Sequence, residues 1–255
     1  QRVQSAWSKW EMGERLFGAF FTGSTLYLLI NRGGKHCLEK MNFTTFNSED
    51  LVDKEPYRVY LDSKKLATTA RYDVDTKSTT FNVGVEYTLN DSSKIKVVGL
   101  VTPDGKYQEC DVINGRIVLI GDWRNTNVIM GLPYKFHIRL SPIYMQEKGQ
   151  QGSTTILTGR LQLRYVRLNY ANTGGFTVNV TYNSGRKCQY VMTGRQIGFN
   201  TAKLGHVPDD TGVFKFPVQT LNTSVQIDVD SALPLPLSLI GFLWEGSFVA
   251  RSRGV

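Results

Sequence analysis

The chain reads as an all-β protein, built from several antiparallel sheets arranged as small β-sandwich or barrel-like subdomains. Three observations predict this. Apolar and polar residues alternate with period two along most of the sequence, β-branched and aromatic residues gather in short runs, and Gly, Asn and Asp punctuate those runs where tight turns need them. No window of about a dozen residues keeps the 3.6-residue apolar stripe of an amphipathic helix. Helix is therefore confined to short turns, expected near residues 63–70 and 201–204.

Taken in order, the run at residues 26–30 passes through Asn31, Arg32, Gly33 and Gly34 to residues 36–41 and reads as a hairpin. Further strands are expected at 57–61, 80–89, 94–101, 116–120, 127–130, 135–140, 155–169, 176–182, 188–193, 213–218 and 224–229. Pro103-Asp104-Gly105, Asn114-Gly115, Asn172-Thr173-Gly174-Gly175 and Asn183-Ser184-Gly185 supply the turns between them, because Gly and Asn accept positive φ. Polar residues and turn formers collect at 43–56 and again at 146–154. These divide the chain into the end of an upstream β domain at residues 1–50, a middle β domain at 51–147 and a basic C-terminal β domain at 148–255. The chain opens on Gln1 without the basic start and apolar run of a secretory signal, and is expected to be a piece of a longer protein.

With 255 residues, 41% hydrophobic and 20% charged, the composition is that of a folded protein with a full core. The longest apolar stretch, residues 233–244, holds Pro234 and Pro236 and is too short to cross a bilayer as a helix. Cys37, Cys110 and Cys188 are odd in number and far apart, so no disulfide framework follows from them.

Charge is distributed unevenly. Between Glu147 and Asp209 there is no acidic residue, while Lys148, Arg160, Arg164, Arg167, Arg186, Lys187, Arg195 and Lys203 supply eight cations, so the whole net charge of +8 sits in one segment. Such one-sided charge bears on partners and association: a polyanion, or an acidic patch on another protein. In strand geometry Arg160, Gln162 and Arg164 project to one face, and Leu161, Leu163 and Tyr165 to the other. That cationic face suits non-specific contact with a phosphate backbone, or equally an Arg ladder with acidic neighbours from other strands or another subunit.

Signatures of catalysis are absent. The sequence has no phosphate-binding Gly-rich loop ending in Lys and Ser or Thr, no Gly-x-Ser-x-Gly elbow and no His-Glu-x-x-His pair. His36, His137 and His206 have no partner at metal-ligand spacing. No catalytic, cofactor-binding or metal residue is assigned, and no cofactor is expected. Glycan cleavage needs only two carboxylates at a set separation, so the pairs Asp73 with Asp75, Asp209 with Asp210, and Asp228 with Asp230 are candidates for an alternative reading as a glycan hydrolase. A third reading is a module that binds surface polysaccharide through aromatics such as Trp123, Tyr134 and Trp244.

Three segments carry a family resemblance. The closing block at residues 234–253 is a Pro-containing apolar run leading to Trp244-Glu245-Gly246, an aromatic residue, and Arg251-Ser252-Arg253. The segment at 121–134 ends in Gly131-Leu132-Pro133-Tyr134 and is followed by Leu140-Ser141-Pro142. Near the start stand Trp7-Ser8-Lys9-Trp10 and the hairpin that ends in Cys37-Leu38-Glu39-Lys40-Met41. Together these resemble the nozzle, or tail tubular protein B, of podoviruses with short non-contractile tails. The resemblance implies a non-enzymatic virion tail part: a homohexameric tube below the tail adaptor (tail tubular protein A) through which duplex DNA is ejected, with contacts to tail fibres and to the host surface. It makes Trp123, Pro133, Tyr134 and Trp244 structural anchors. Beside it, Arg160, Arg164 and Arg167 are candidate DNA-channel contacts, and Arg186, Lys187 and Arg195 are candidate subunit-interface residues.

Overall fold

In a computed structural model, the structure describes residues 15–32, 34–42, 59–67, 70–83, 96–101, 106–125, 128–149, 152–193 and 210–250. The described residues form strands almost throughout, as expected. In chain order these are β1 (Leu16–Thr22), β2 (Thr25–Arg32), β3 (Lys35–Asn42), β4 (Asp62–Leu66), β5 (Ala70–Asp73), β6 (Ser78–Asn82), β7 (Lys96–Val101), β8 (Lys106–Asp111), β9 (Arg116–Ile120) and β10 (Val128–Leu132). There follow β11 (Phe136–Arg139), β12 (Gln146–Gly149), β13 (Gly152–Thr155), β14 (Gly159–Thr173), β15 (Gly175–Tyr182), β16 (Lys187–Thr193), β17 (Asp210–Leu221), β18 (Val225–Ser231) and β19 (Ser238–Ala250). A 3-10 turn at Asn222–Ser224 joins β17 to β18. No helix among the described residues is long and apolar enough to cross a membrane.

The chain divides into two compact units, the first built around β1–β10 and the second around β11–β19. The first holds the meander β1-β2-β3, the sheet β4-β10-β7-β8 and the sheet β5-β6-β9. Its main core gathers Phe81, Cys110, Ile117, Leu119, Val128 and Met130. Burial pushes the Cys110 thiol up to about 11, with Asp111 adding to the rise, so it packs as an uncharged apolar group. The two-residue loop Asn114-Gly115 has positive φ at both positions, which is the hairpin chemistry its sequence predicts.

The second unit is a β-sandwich. Sheet β11-β18-β15-β16 packs on sheet β17-β14-β19, and their inner faces share one core: Leu161, Leu163, Val166, Leu168 and Tyr170 of β14 against Phe176, Val178, Val180, Met192, Ile227 and Val229, with Phe216 and Val218 beside them. Aromatic rings lock the layers together, Phe176 edge-on to Tyr170 at 5.7 Å and to Phe214 at 5.4 Å, and Tyr190 stacked on Phe216 at 5.8 Å. The Tyr182 hydroxyl donates to the Val218 carbonyl at 2.9 Å, tying the sheets at one end.

Several expectations are corrected. Asp62–Leu66 is strand β4 and not a helical turn, because it has β10 to pair with. Gln146–Gly149 and Gly152–Thr155 pair as β12 and β13. The last strand, β19, lies where the sequence shows a Pro-containing apolar run and no strand is expected; it pairs with β14 over twelve positions, its irregularities absorbed as bulges. Gly246 lies so close to β14 that a Cβ there would collide with the Gln162 carbonyl oxygen, so this glycine is needed for the approach. The expected turn at 201–204 and the strand segment at 84–89 lie outside the described residues.

Burial ranks the stabilising side chains. Phe216 is fully enclosed, whereas Trp244 is half-buried on the edge strand β19, resting against the same core. Replacing Phe216 by Ala is expected to cost about 3–5 kcal/mol, and replacing Trp244 by Ala about half as much. Chemical denaturation of both variants checks this order, and an equal or greater loss at Trp244 would contradict it.

Candidate functional site

The middle strand β14 sets the outer face of the three-stranded sheet. Its register shifts between Leu163 and Tyr165 on both neighbours: against β19 Arg164 is the extra, bulged residue, and against β17 the extra residue lies in β17. The inward set therefore changes phase, from Leu161 and Leu163 to Val166, Leu168 and Tyr170. Simple alternation placed Tyr165 inward; the bulge instead puts it outward beside Arg167, with Lys215 Nζ 4.0 Å from its ring centre.

The three arginines of β14 differ. Arg160 and Arg164 are exposed, with no ion-pair partner among the described residues. Arg167 is half-buried, and its guanidinium is bonded to the Glu245 carboxylate, which Lys215 also approaches at 3.3 Å. Glu245 stands directly opposite Tyr165 on β19 and diagonal to Arg167, so the pairing follows from register. The same face presents Val213, Leu243 and Val249, between 55% and 64% exposed.

Arg186 and Lys187 sit exposed at the β15–β16 turn, where Gly185 at φ +84 closes the hairpin and Arg186 lies over the Tyr182 ring at 5.8 Å. Arg195 lies outside the described residues, as do Asp209, Arg251 and Arg253.

Among the acidic candidates, Asp73 accepts the Asp75 amide at 3.0 Å in a turn. Asp210 begins β17. Asp228 and Asp230 share a face of β18, as their spacing requires, and meet a set of donors that sequence reasoning did not single out. Arg139 Nε donates to Asp228 Oδ1 at 2.7 Å and Gln226 Nε2 to Asp228 Oδ2 at 2.7 Å. His137 Nδ1 lies 2.7 Å from Asp230 Oδ1, Lys135 Nζ lies 3.0 Å from the same oxygen, and Asn179 Nδ2 donates to Asp230 Oδ2 at 2.6 Å. The two-residue spacing of His137 and Arg139 on β11 against Asp230 and Asp228 on β18 is the one signal in the sequence that could have shown this match.

Burial alone would raise both carboxyls. For Asp228 the bonds from Arg139 and Gln226 outweigh it, and for Asp230 those from His137, Lys135 and Asn179, so each is held below the ordinary carboxylate value. A glycosidase needs one of its two carboxyls raised, to carry a proton near neutral pH. This pair is tuned the opposite way. No group of three or more His, Cys, Asp or Glu side chains among the described residues could hold a metal ion.

Of the expected anchors, Trp123 is the most tightly placed. Its Nε1 donates to the Ile120 carbonyl at 2.8 Å, and its amide to Thr79 Oγ1 at 3.0 Å, while Thr79 donates to the Gly121 carbonyl at 2.6 Å. Pro133 is half-buried just after β10, and Tyr134 is 45% exposed.

Comparison with known proteins places these features in context. A family model described as bacteriophage nozzle protein matches residues 1–255. Tail tubular protein gp12 of Escherichia phage T7 is 30% identical over 264 residues, covering 99% of this chain and 32% of the relative. The chain thus spans about a third of that relative's length.

The lowered Asp228 and Asp230 fix a pH dependence. A carboxylate whose folded value is depressed contributes stability that is present above the unfolded value, about 3.9, and lost as pH falls through the folded value. Melting temperature is expected to drop as pH falls below about 5. In Asp228→Asn the drop should be shallower and the neutral-pH melting point lower; an unchanged acid limb would show that the pair does not contribute.

Proposed function

The chain belongs to the bacteriophage nozzle protein family, and we propose that it acts as a structural, non-enzymatic part of a short phage tail, self-assembled into a closed ring around the path of the ejected genome. The observation that carries the DNA part of this reading is the pair of exposed guanidinia at Arg160 and Arg164, without an ion-pair partner among the described residues, on the outer face of the central strand of the sandwich. Arg167 spends its charge on Glu245. Two cations per copy, spread by a bulge and flanked by apolar side chains, suit weak contact with passing phosphates; strong neutralisation would hold the duplex back. The adaptor of the tail, its fibres and the host surface are partners the family implies for the whole protein. Cyclic assembly requires a head-to-tail interface of two different patches, and exposed Arg186 and Lys187 belong to one of them.

The hydrolase reading is disfavoured by Asp228 and Asp230, both held ionised by hydrogen-bonded partners.

Titration of labelled duplex against the assembled protein across a salt series tests the DNA contact. Binding should be weak, independent of sequence and steeply salt-dependent. Arg160→Gln with Arg164→Gln should lower the slope of log affinity against log salt by about 1.8 per engaged copy, whereas Arg167→Gln should change it little. Salt-insensitive binding, or a slope indifferent to Arg160 and Arg164, would remove this contact from the reading.

A further inference from the structure

Among the described residues the sandwich has four sheet edges, and three of them are protected. Edge strand β11 has four residues and lies between Pro133 and Pro142. Edge strand β17 carries Pro217, the positive φ of Gln219 and two register shifts, and β19 is broken by Gly241, Gly246 and two register shifts. These are the devices by which proteins block edge-to-edge pairing. The fourth edge, β16, has none of them. Lys187–Thr193 contains no Pro or Gly, and it pairs with β15 through seven consecutive positions without a shift.

The hairpin geometry shows which backbone groups this edge offers. The Tyr182 amide donates to the Arg186 carbonyl at 2.9 Å, so Tyr182 and Arg186 form a hydrogen-bonded pair. Antiparallel pairs alternate, which turns the amides and carbonyls of Cys188, Tyr190 and Met192 toward β15 and those of Lys187, Gln189, Val191 and Thr193 away from it. The side chains of these last four are all exposed.

From this edge, and resting on the reading of the chain as a ring-forming subunit, we propose that β16 of one copy pairs with β8 of a second copy, continuing the sheet from one subunit to the next. Strand β8 is itself the end strand of its sheet. It exposes Glu109 and Asp111 with Cys110 buried between them. An antiparallel register with Asp111 opposite Lys187 sets Glu109 opposite Gln189 and Cys110 opposite Cys188. Exposed acid then meets exposed base or amide, and the inward-facing residue of each strand meets the inward-facing residue of the other. Neither Lys187 nor Asp111 has an ion-pair partner among the described residues. The interface is heterologous, as a cyclic assembly requires, because the two strands differ.

The test uses the full protein, with rings counted by negative-stain microscopy and mass measured in solution. Gln189→Pro removes an outward amide and leaves the β15 ladder intact, so rings should be lost while the melting transition is kept. Lys187→Glu and Asp111→Lys should each weaken assembly, and the double swap should restore it. Recovery in the double swap supports the pairing even where the proline variant unfolds. If the parent protein forms no rings, the ring-forming reading itself fails. If it does, and the Gln189→Pro variant or the two single charge variants assemble as the parent does, the strand pairing alone is overturned, as it also is by a double swap that does not recover.

Discussion

The second unit depends on the burial of β14 between two neighbours and an opposing sheet. This strand pairs with β17 on one side and β19 on the other, and its inward residues Leu161, Leu163, Val166, Leu168 and Tyr170 lie against Phe176, Val178 and Val180. Each of these side chains is almost wholly withdrawn from water. The bulge at Arg164 is the adjustment that lets one long, twisted strand keep both neighbours. The arrangement of the outer face follows from it: which arginines point to solvent, which one meets Glu245, and where Tyr165 rests.

The basic segment is thereby sorted into charges already used and charges available. Arg167 is internally compensated, and Lys135, His137 and Arg139, from just outside the segment, cover the two carboxylates of β18. Among the described residues of the segment, Arg160, Arg164, Arg186 and Lys187 are left exposed, in two separate places: the outer face of one sheet and the turn end of the other. In the proposed reading these two places meet partners of different kinds, a polyanion at the first and a neighbouring protein edge at the second. The separation comes from strand order alone.

Much of the fold was legible in the sequence because period-two alternation and turn chemistry act locally. The runs that became β2, β3, β9, β15 and β16 and the turns at Asn114-Gly115 and Asn183-Ser184-Gly185 needed no tertiary information. What was hidden depends on partners distant in sequence. β19 looks broken by prolines and glycines until β14 is present to pair with it, and Asp62–Leu66 has no strand signal apart from β10. The Arg164 bulge cannot be read from alternation, which assumes one phase throughout and so sent Tyr165 the wrong way. The shared face of Asp228 and Asp230 was legible from their spacing; the surrounding donors were not, because Lys135, His137 and Arg139 at β11 and Asn179 on β15 reach them from far along the chain.

Residue-resolved hydrogen exchange along β14 tests this account most directly. Amides on either side of the bulge, in the stretches around Leu163 and from Val166 to Tyr170, should be among the slowest in the second unit, with the Arg164 amide exchanging much faster than its neighbours. Amides of β14 exchanging as fast as the outward-facing amides of Gln189 and Val191, or unbroken protection through Arg164, would contradict it.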